Sequence, residues 1–250
     1  MLTIPIIYQQ QRLANIRTLD LSKNALVQLN PEISKLTKIK LLNLESNKLT
    51  PGTLAPISKL ANLQNLSVGN NVLGKPTAQS KNAAPLPDNL PKSLKYIKLN
   101  ANFLSTVPKP ILSSTLIKLE KLDLSSNHLA SIPQEISNLK NLHEINLDQN
   151  SIVGLPEEIG QLQKLKVLSL RANQIAVHST QWSERNPQPL PQSLFTDTPL
   201  IDLNLHGNPM TSTQLNTMKG YDKFLERRQK VKTNAILGGA MTNLDVCGLE

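Results

Sequence analysis

The sequence predicts an α/β solenoid. Short parallel strands would line a concave face, and brief helical or 3-10 turns would cover the convex face of a horseshoe. Three observations predict it. A nine-residue pattern, apolar at positions 1, 4 and 6 with Asn at position 9, occurs eight times in 250 residues. Leucine accounts for 45 residues and asparagine for 25, whereas the rings are 3 Phe, 3 Tyr and 1 Trp. A core of leucine with so few rings suggests one small apolar unit used repeatedly.

The repeats begin at Ile16, Ile39, Leu63, Leu94, Leu119, Leu142, Leu165 and Leu200, with spacings of 23, 24, 31, 25, 23, 23 and 35 residues. In a strand, positions 4 and 6 face one way and position 5 the other. Leu19 and Leu21 therefore point inward and Asp20 outward. The ninth-position residues Asn24, Asn47, Asn71, Asn102, Asn127, Asn150, Asn173 and Asn208 turn the chain off the strand, and their amides can satisfy backbone groups left unpaired there. The back halves carry apolar residues around a proline, as in Leu129, Ile132, Pro133, Ile136 and Leu139. That pattern fits one helical or 3-10 turn packed on the strand leucines. No repeat can bury its leucines alone, so one cooperative array is expected over 16–209.

Two repeats are expanded, at 74–93 and 176–199, in stretches rich in Pro, Ser, Asn and Gln that read as solvated excursions or contact loops. Trp182, in the second, is expected to tuck onto the flank. Residues 1–15 resemble the back half of a repeat and are read as an N-terminal cap. Residues 210–232 are read as a C-terminal capping helix, with Leu215, Met218, Tyr221, Phe224 and Leu225 at helical spacing. Residues 233–250 are read as a flexible tail.

The repeats at 16, 119 and 142 resemble the 23-residue class LxxLxLxxNxLxxLPxxIxxLxx. Ile132-Pro133 and Leu155-Pro156 carry its proline, and Leu29-Asn30 departs from it. The chain thus resembles the intracellular leucine-rich repeat proteins of the Ras group. LPQSLFTDTPLIDLNLHGNP (190–209) and GYDKFLERRQKVK (220–232) are similar to the last repeat and cap of a small member, whereas Thr180–Pro189 looks inserted. The N-terminal glycine needed for myristoylation is missing, so membrane anchoring does not carry over. The resemblance implies an intracellular interaction module or scaffold in signal transduction, without activity of its own. It also raises a regulatory subunit of a small GTPase or phosphatase pathway as an alternative.

The residues agree that an enzyme is not expected. His128, His143, His178 and His206 lie in no metal-ligand spacing, and Cys247 stands alone. No catalytic, cofactor or metal set is therefore assigned. The single cysteine fits a reducing compartment, so a cytoplasmic location is expected. No apolar run is long enough to span a bilayer.

Positions 3, 5, 7 and 8 are expected to line a groove roughly 34 Å long, taking rungs about 4.8 Å apart. That length suits a protein partner. The candidate contact residues are Tyr96, Lys98, Lys121, Asp123, Glu144, Asn146, Asp148, Ser169, Arg171, Asn204 and His206. Tyr96 is the ring among them, and Glu144 with Asp148 makes the most acidic rung. The groove residues are slightly acidic in sum although the chain is +9, so nucleic acid is not expected there. Lys219, Lys223, Arg227, Arg228, Lys230 and Lys232 place positive charge on the cap, from which a weak contact with an acidic surface would follow. A monomer is expected.

Overall fold

In the computed structural model of the chain, residues 15–75, 83–177 and 188–237 are described. All but the last residue of the expected N-terminal cap, Trp182 and the tail beyond 237 lie outside them. Contacts cluster in two compact units, Met1–Asn127 and His128–Glu250.

The first unit holds β1 (Thr18–Asp20), β2 (Leu41–Asn43), β3 (Asn65–Ser67), β4 (Tyr96–Lys98) and β5 (Lys121–Asp123), paired in parallel in chain order. The second holds β6 (Glu144–Asn146), β7 (Val167–Ser169) and β8 (Asp202–Asn204), paired likewise. Positions 4 and 6 point inward as the pattern requires. Leu42, Leu44, Leu66, Ile97 and Leu122 are buried in the first unit, and Ile145, Leu147, Leu168, Leu203 and Leu205 in the second. Each such leucine contributes roughly 1.5–3 kcal/mol by leaving water. Leu19 and Leu21, in the first repeat, are half-buried.

The turns behind the strands are 3-10 at Pro31–Lys35, Ala55–Lys59 and Lys109–Leu112 in the first unit, and at Gln134–Asn138 and Glu157–Gln161 in the second. Proline sets them. The N–H groups of Ile111, Ile136 and Ile159 donate to the carbonyls of Pro108, Pro133 and Pro156, which closes the turn and drives the isoleucine into the core.

The ninth-position amides form a ladder inside each unit. Asn71 Nδ2 donates to the carbonyls of Leu44, Val68 and Gly69, and its Oδ1 accepts from Leu49 N–H. Asn127 Oδ1 accepts from the N–H groups of Asn102 and Leu104, while its Nδ2 donates to Leu99, Leu124 and Ser125 carbonyls. In the second unit Asn173 bonds Leu147, Leu170 and Arg171 carbonyls and Ile152 N–H in the same way. The turn itself sits one residue earlier. Position 8 is left-handed in all eight repeats, at Lys23, Ser46, Asn70, Ala101, Ser126, Gln149, Ala172 and Gly207. Seven of these are not glycine, so each holds strain of about 1–2 kcal/mol. Bonds such as Ala172 N–H to the His206 carbonyl, 2.8 Å, fix that conformation.

The excursions differ from the solvated loops expected, because their ends return to the core. Leu86, Leu90 and Leu190 are buried, as are Leu194 and Phe195 on the short helix α1 (Gln192–Thr196). The single capping helix is corrected to two, α2 (Ser212–Asn216) and α3 (Tyr221–Leu237). A capping box on Thr211 and Gln214 starts α2, and Gly220, at φ +83°, breaks the helix before α3. A side chain at Gly220 would also come within 2.7 Å of Thr196 Cγ2. Phe195, Tyr221 and Phe224 meet with ring centroids 5.5–6.2 Å apart. The helix then runs five residues past 232, into the stretch read as tail.

Candidate functional site

The expected contact residues fall into two sets, one on each unit. In the first unit, parallel register sets Tyr96 beside Lys121 and Lys98 beside Asp123. Lys98 is half-buried and does not simply face solvent. Its Nζ lies 2.9 Å from Glu45 Oε1, across the intervening strand β3, where the outward residues are the small Ser67 and Gly69. The hydrogen bond it donates to Glu45 holds the Lys98 ammonium above the usual lysine range. Asp123 Oδ1 accepts from Ser125 N–H and Oγ at 3.0 and 2.7 Å.

In the second unit, Glu144 stands beside Val167 on β6 and β7, and Asn146, Ser169 and Asn204 line up across β6, β7 and β8. Asp148 Oδ1 accepts from Ser169 Oγ at 2.5 Å and from Arg171 N–H at 2.8 Å. Asn146 Oδ1 accepts from Asp148 N–H, and Asn204 Oδ1 from His206 N–H. The unit thus brings Glu144, Asn146, Asp148, Ser169, Arg171, Asn204 and His206 onto one strand face.

A local role for position 5 escaped the sequence reading. Asp20 and Asn43 repeat the bond of Asp123, each accepting from the N–H two residues on. Five of the eight position-5 residues (Asp20, Asn43, Asp123, Asn146, Asn204) are Asp or Asn in Asx turns. The recurrence of Asp or Asn there was the available signal. The bonds from Ser22 lower the Asp20 pKa below the usual carboxylate range. The pairing of Glu45, an expected outward residue, with Lys98 was not legible, since the two lie two repeats apart in sequence.

Two cap cations are structural. Arg227 Nε and Nη2 donate to the carbonyls of Leu200 and Phe195 at 3.1 and 2.6 Å, and burial lowers its pKa. Arg228 is buried with its guanidinium 5.7 Å from the Phe224 ring centroid. The exposed charges left on the described cap, Lys219, Lys223 and Lys230 against Asp222 and Glu226, nearly cancel. Among the described residues no His, Cys, Asp or Glu group could hold a metal ion, and no helix is long and apolar enough to cross a membrane.

Known proteins resemble this arrangement. Residues 117–175 match the family model described as leucine rich repeat. Osteomodulin of Rattus norvegicus is 35% identical over 108 residues, 42% of this chain and 23% of that protein. Osteomodulin of Bos taurus is 32% identical over 111 residues, 44% and 24% respectively. The chain spans about a quarter of the length of these curated relatives. Among solved structures, a leucine-rich repeat protein of Leptospira interrogans is similar with TM-score 0.68 and 28% identity, covering 85% of this chain and 47% of that one. An internalin of Listeria monocytogenes gives 0.60 and 26%, covering 80% and 50%. Internalin C2 of the same organism gives 0.60 and 22%, a likeness of fold.

Proposed function

We propose that the chain is a non-enzymatic protein–protein interaction module that binds a protein through the outward strand faces of its repeats. The observation that carries this reading is the ordering of those faces. Asx turns and the Lys98–Glu45 pair hold polar groups of both signs on rungs whose spacing the backbone sets. A surface already ordered loses little conformational entropy on docking. Five strands about 4.8 Å apart make the first unit's face about 19 Å long, a fit for a helix or domain edge. The finer reading is a monomeric cytoplasmic scaffold in signal transduction. It rests on resemblance to the Ras-group class and, over 190–209 and 220–232, to leucine-rich repeat-containing protein 57. A regulatory subunit of a small GTPase or phosphatase pathway is the runner-up within that class.

Affinity capture with mass spectrometry identifies the partner, and pulldown of that partner by variants tests the face. Tyr96→Ala and Glu144→Lys should lose the partner with unchanged melting, whereas Trp182→Ala should retain it. Asp148→Lys is a poorer probe, since Asp148 also holds Ser169 and the Arg171 N–H. Binding kept by both face variants and lost by Trp182→Ala would move the site off the strands.

A further inference from the structure

The positive charge of the chain is unevenly placed. Residues 1–127 carry 16 Lys and Arg against 6 Asp and Glu, and residues 128–250 carry 11 against 12. The first unit therefore holds the excess, and the second unit as a whole does not. Part of that excess is gathered at one edge of the unit. Just before the strands, Lys40 N–H donates to the Arg17 carbonyl, Gln64 to Lys40, Lys95 to Gln64 and Glu120 to Lys95, each at 2.7–2.8 Å. Arg17, Lys40, Gln64, Lys95 and Glu120 thus occupy consecutive rungs about 4.8 Å apart.

A second row lies beside this one. Lys38 Nζ donates to Asn15 Oδ1, the Asn62 amide to the Thr37 carbonyl and Ser93 Oγ to the Ala61 carbonyl, and Lys92 and Lys118 belong to the same edge. All six cations are exposed. Lys95 pairs with Glu120 at 3.0 Å. Arg17, Lys40, Lys92 and Lys118 have no ion-pair partner among the described residues. Like charges on neighbouring rungs repel, and an ordinary solvated edge would intersperse signs. Beside Lys118 stands Ile117, 56% exposed, and no aromatic residue lies among these edge positions.

We propose that this edge of the first unit is a contact surface for a membrane containing anionic phospholipid. Exposed lysines would meet the phosphate layer, and Ile117 would enter the boundary beneath it. A single-stranded nucleic acid fits less well, because the edge offers no ring on which bases could stack. The contact is weak and reversible, and it leaves the strand face of the unit open.

Sedimentation of the full chain with vesicles of phosphatidylcholine containing about 30% phosphatidylserine tests it, beside pure phosphatidylcholine vesicles. Binding should need the anionic lipid and vanish near about 0.5 M salt. Lys38→Gln/Lys40→Gln, and separately Lys92→Gln/Lys118→Gln, should each lower partitioning about twentyfold with unchanged melting. Ile117→Ser should lower it roughly threefold. Lys48→Gln/Lys109→Gln removes equal charge from exposed sites elsewhere on the unit and should change little. Four results overturn the proposal. One is no binding above the phosphatidylcholine baseline. A second is equal loss in the Lys48/Lys109 control. A third is binding abolished only by Lys219→Gln/Lys223→Gln on the cap. The fourth is capture of a nucleic-acid oligonucleotide without capture of vesicles.

Discussion

Lys98 and Glu45 form an ion pair across a whole intervening strand, 2.9 Å between Nζ and Oε1. The pair exists because repeat three is small where the bridge passes. A Cβ at Gly69 would fall 2.1 Å from Asn100 Oδ1, so the face has no room for a larger residue there without displacing that amide. Both side chains are about 30% exposed, so water screens the pair but does not dissolve it.

The first prediction follows from the sign of the Lys98 shift. Its pKa is raised in the fold, so the pair's contribution is complete below the ordinary lysine value. It is lost as pH climbs through the raised value. Glu45→Gln should therefore cost up to about 1 kcal/mol at neutral pH. The gap in melting temperature between wild type and variant should close as pH rises above the ordinary lysine value and through the raised one. A gap that persists unchanged through that rise would show that the pair's charge is not what Glu45 contributes.

The second concerns the amide ladder. Asn127 satisfies two N–H groups and three carbonyls, and it is buried. Asn127→Ala strands those groups and should cost about 3 kcal/mol or more. Among the described residues, Asn24 is exposed and bonds only its own repeat's Leu21 and Ser22 carbonyls. Asn24→Ala should cost under about 1 kcal/mol. Denaturant titration measures both, and equal midpoints would remove the ladder from the account.

The inward leucines, the ladder and the 3-10 turns were legible because one chemical requirement recurs at one position in every repeat. The left-handed residue was not. Position 8 holds Lys, Ser, Asn, Ala, Ser, Gln, Ala and Gly, so no residue type announces it. Bonds such as Ala101 N–H to the Ser125 carbonyl, made to the next repeat, impose the conformation on whatever residue stands there. The cap was legible as an apolar stripe. Its break was not, because Gly220 is demanded by the approach of Thr196 from α1. The site residues were legible as outward positions, but the partner of Lys98 depends on stacking of repeats two to four.

The strained turn gives the third prediction. Ala172 sits at φ +53° on the exposed strand face of the second unit. Glycine relieves about 1–2 kcal/mol of strain there, against about 0.5–1 kcal/mol of added unfolded-state freedom. Ala172→Gly should thus be neutral or stabilising by up to about 1 kcal/mol, contrary to the usual cost of glycine. Ala172→Val should destabilise by about 1 kcal/mol or more, since a β-branched residue fits the left-handed region worst. Melting temperatures ranked with valine at or above glycine would contradict the turn geometry.

The fourth prediction concerns how the last leucines of the second unit are covered. Arg227 reaches from α3 to the backbone carbonyls of Leu200 and Phe195, with Phe195 itself packed edge-on against Tyr221. The guanidinium is partly desolvated yet stays charged, so both carbonyls receive charge-assisted bonds. Arg227→Met keeps an unbranched apolar stem and removes every donor. It should cost about 3 kcal/mol, against under about 0.5 kcal/mol for Lys230→Met on the exposed side of α3. Arg227→Lys restores a charge but offers a single ammonium for two divergent carbonyls, so it should recover only part of the loss. A fragment ending at Pro209 lacks α2 and α3 and should expose Phe195, Leu203 and Leu205 and aggregate. If that fragment stays soluble and melts cooperatively, α3 is not the cover of the last repeat. If Arg227→Met and Lys230→Met melt together, the two carbonyl bonds do not fasten it.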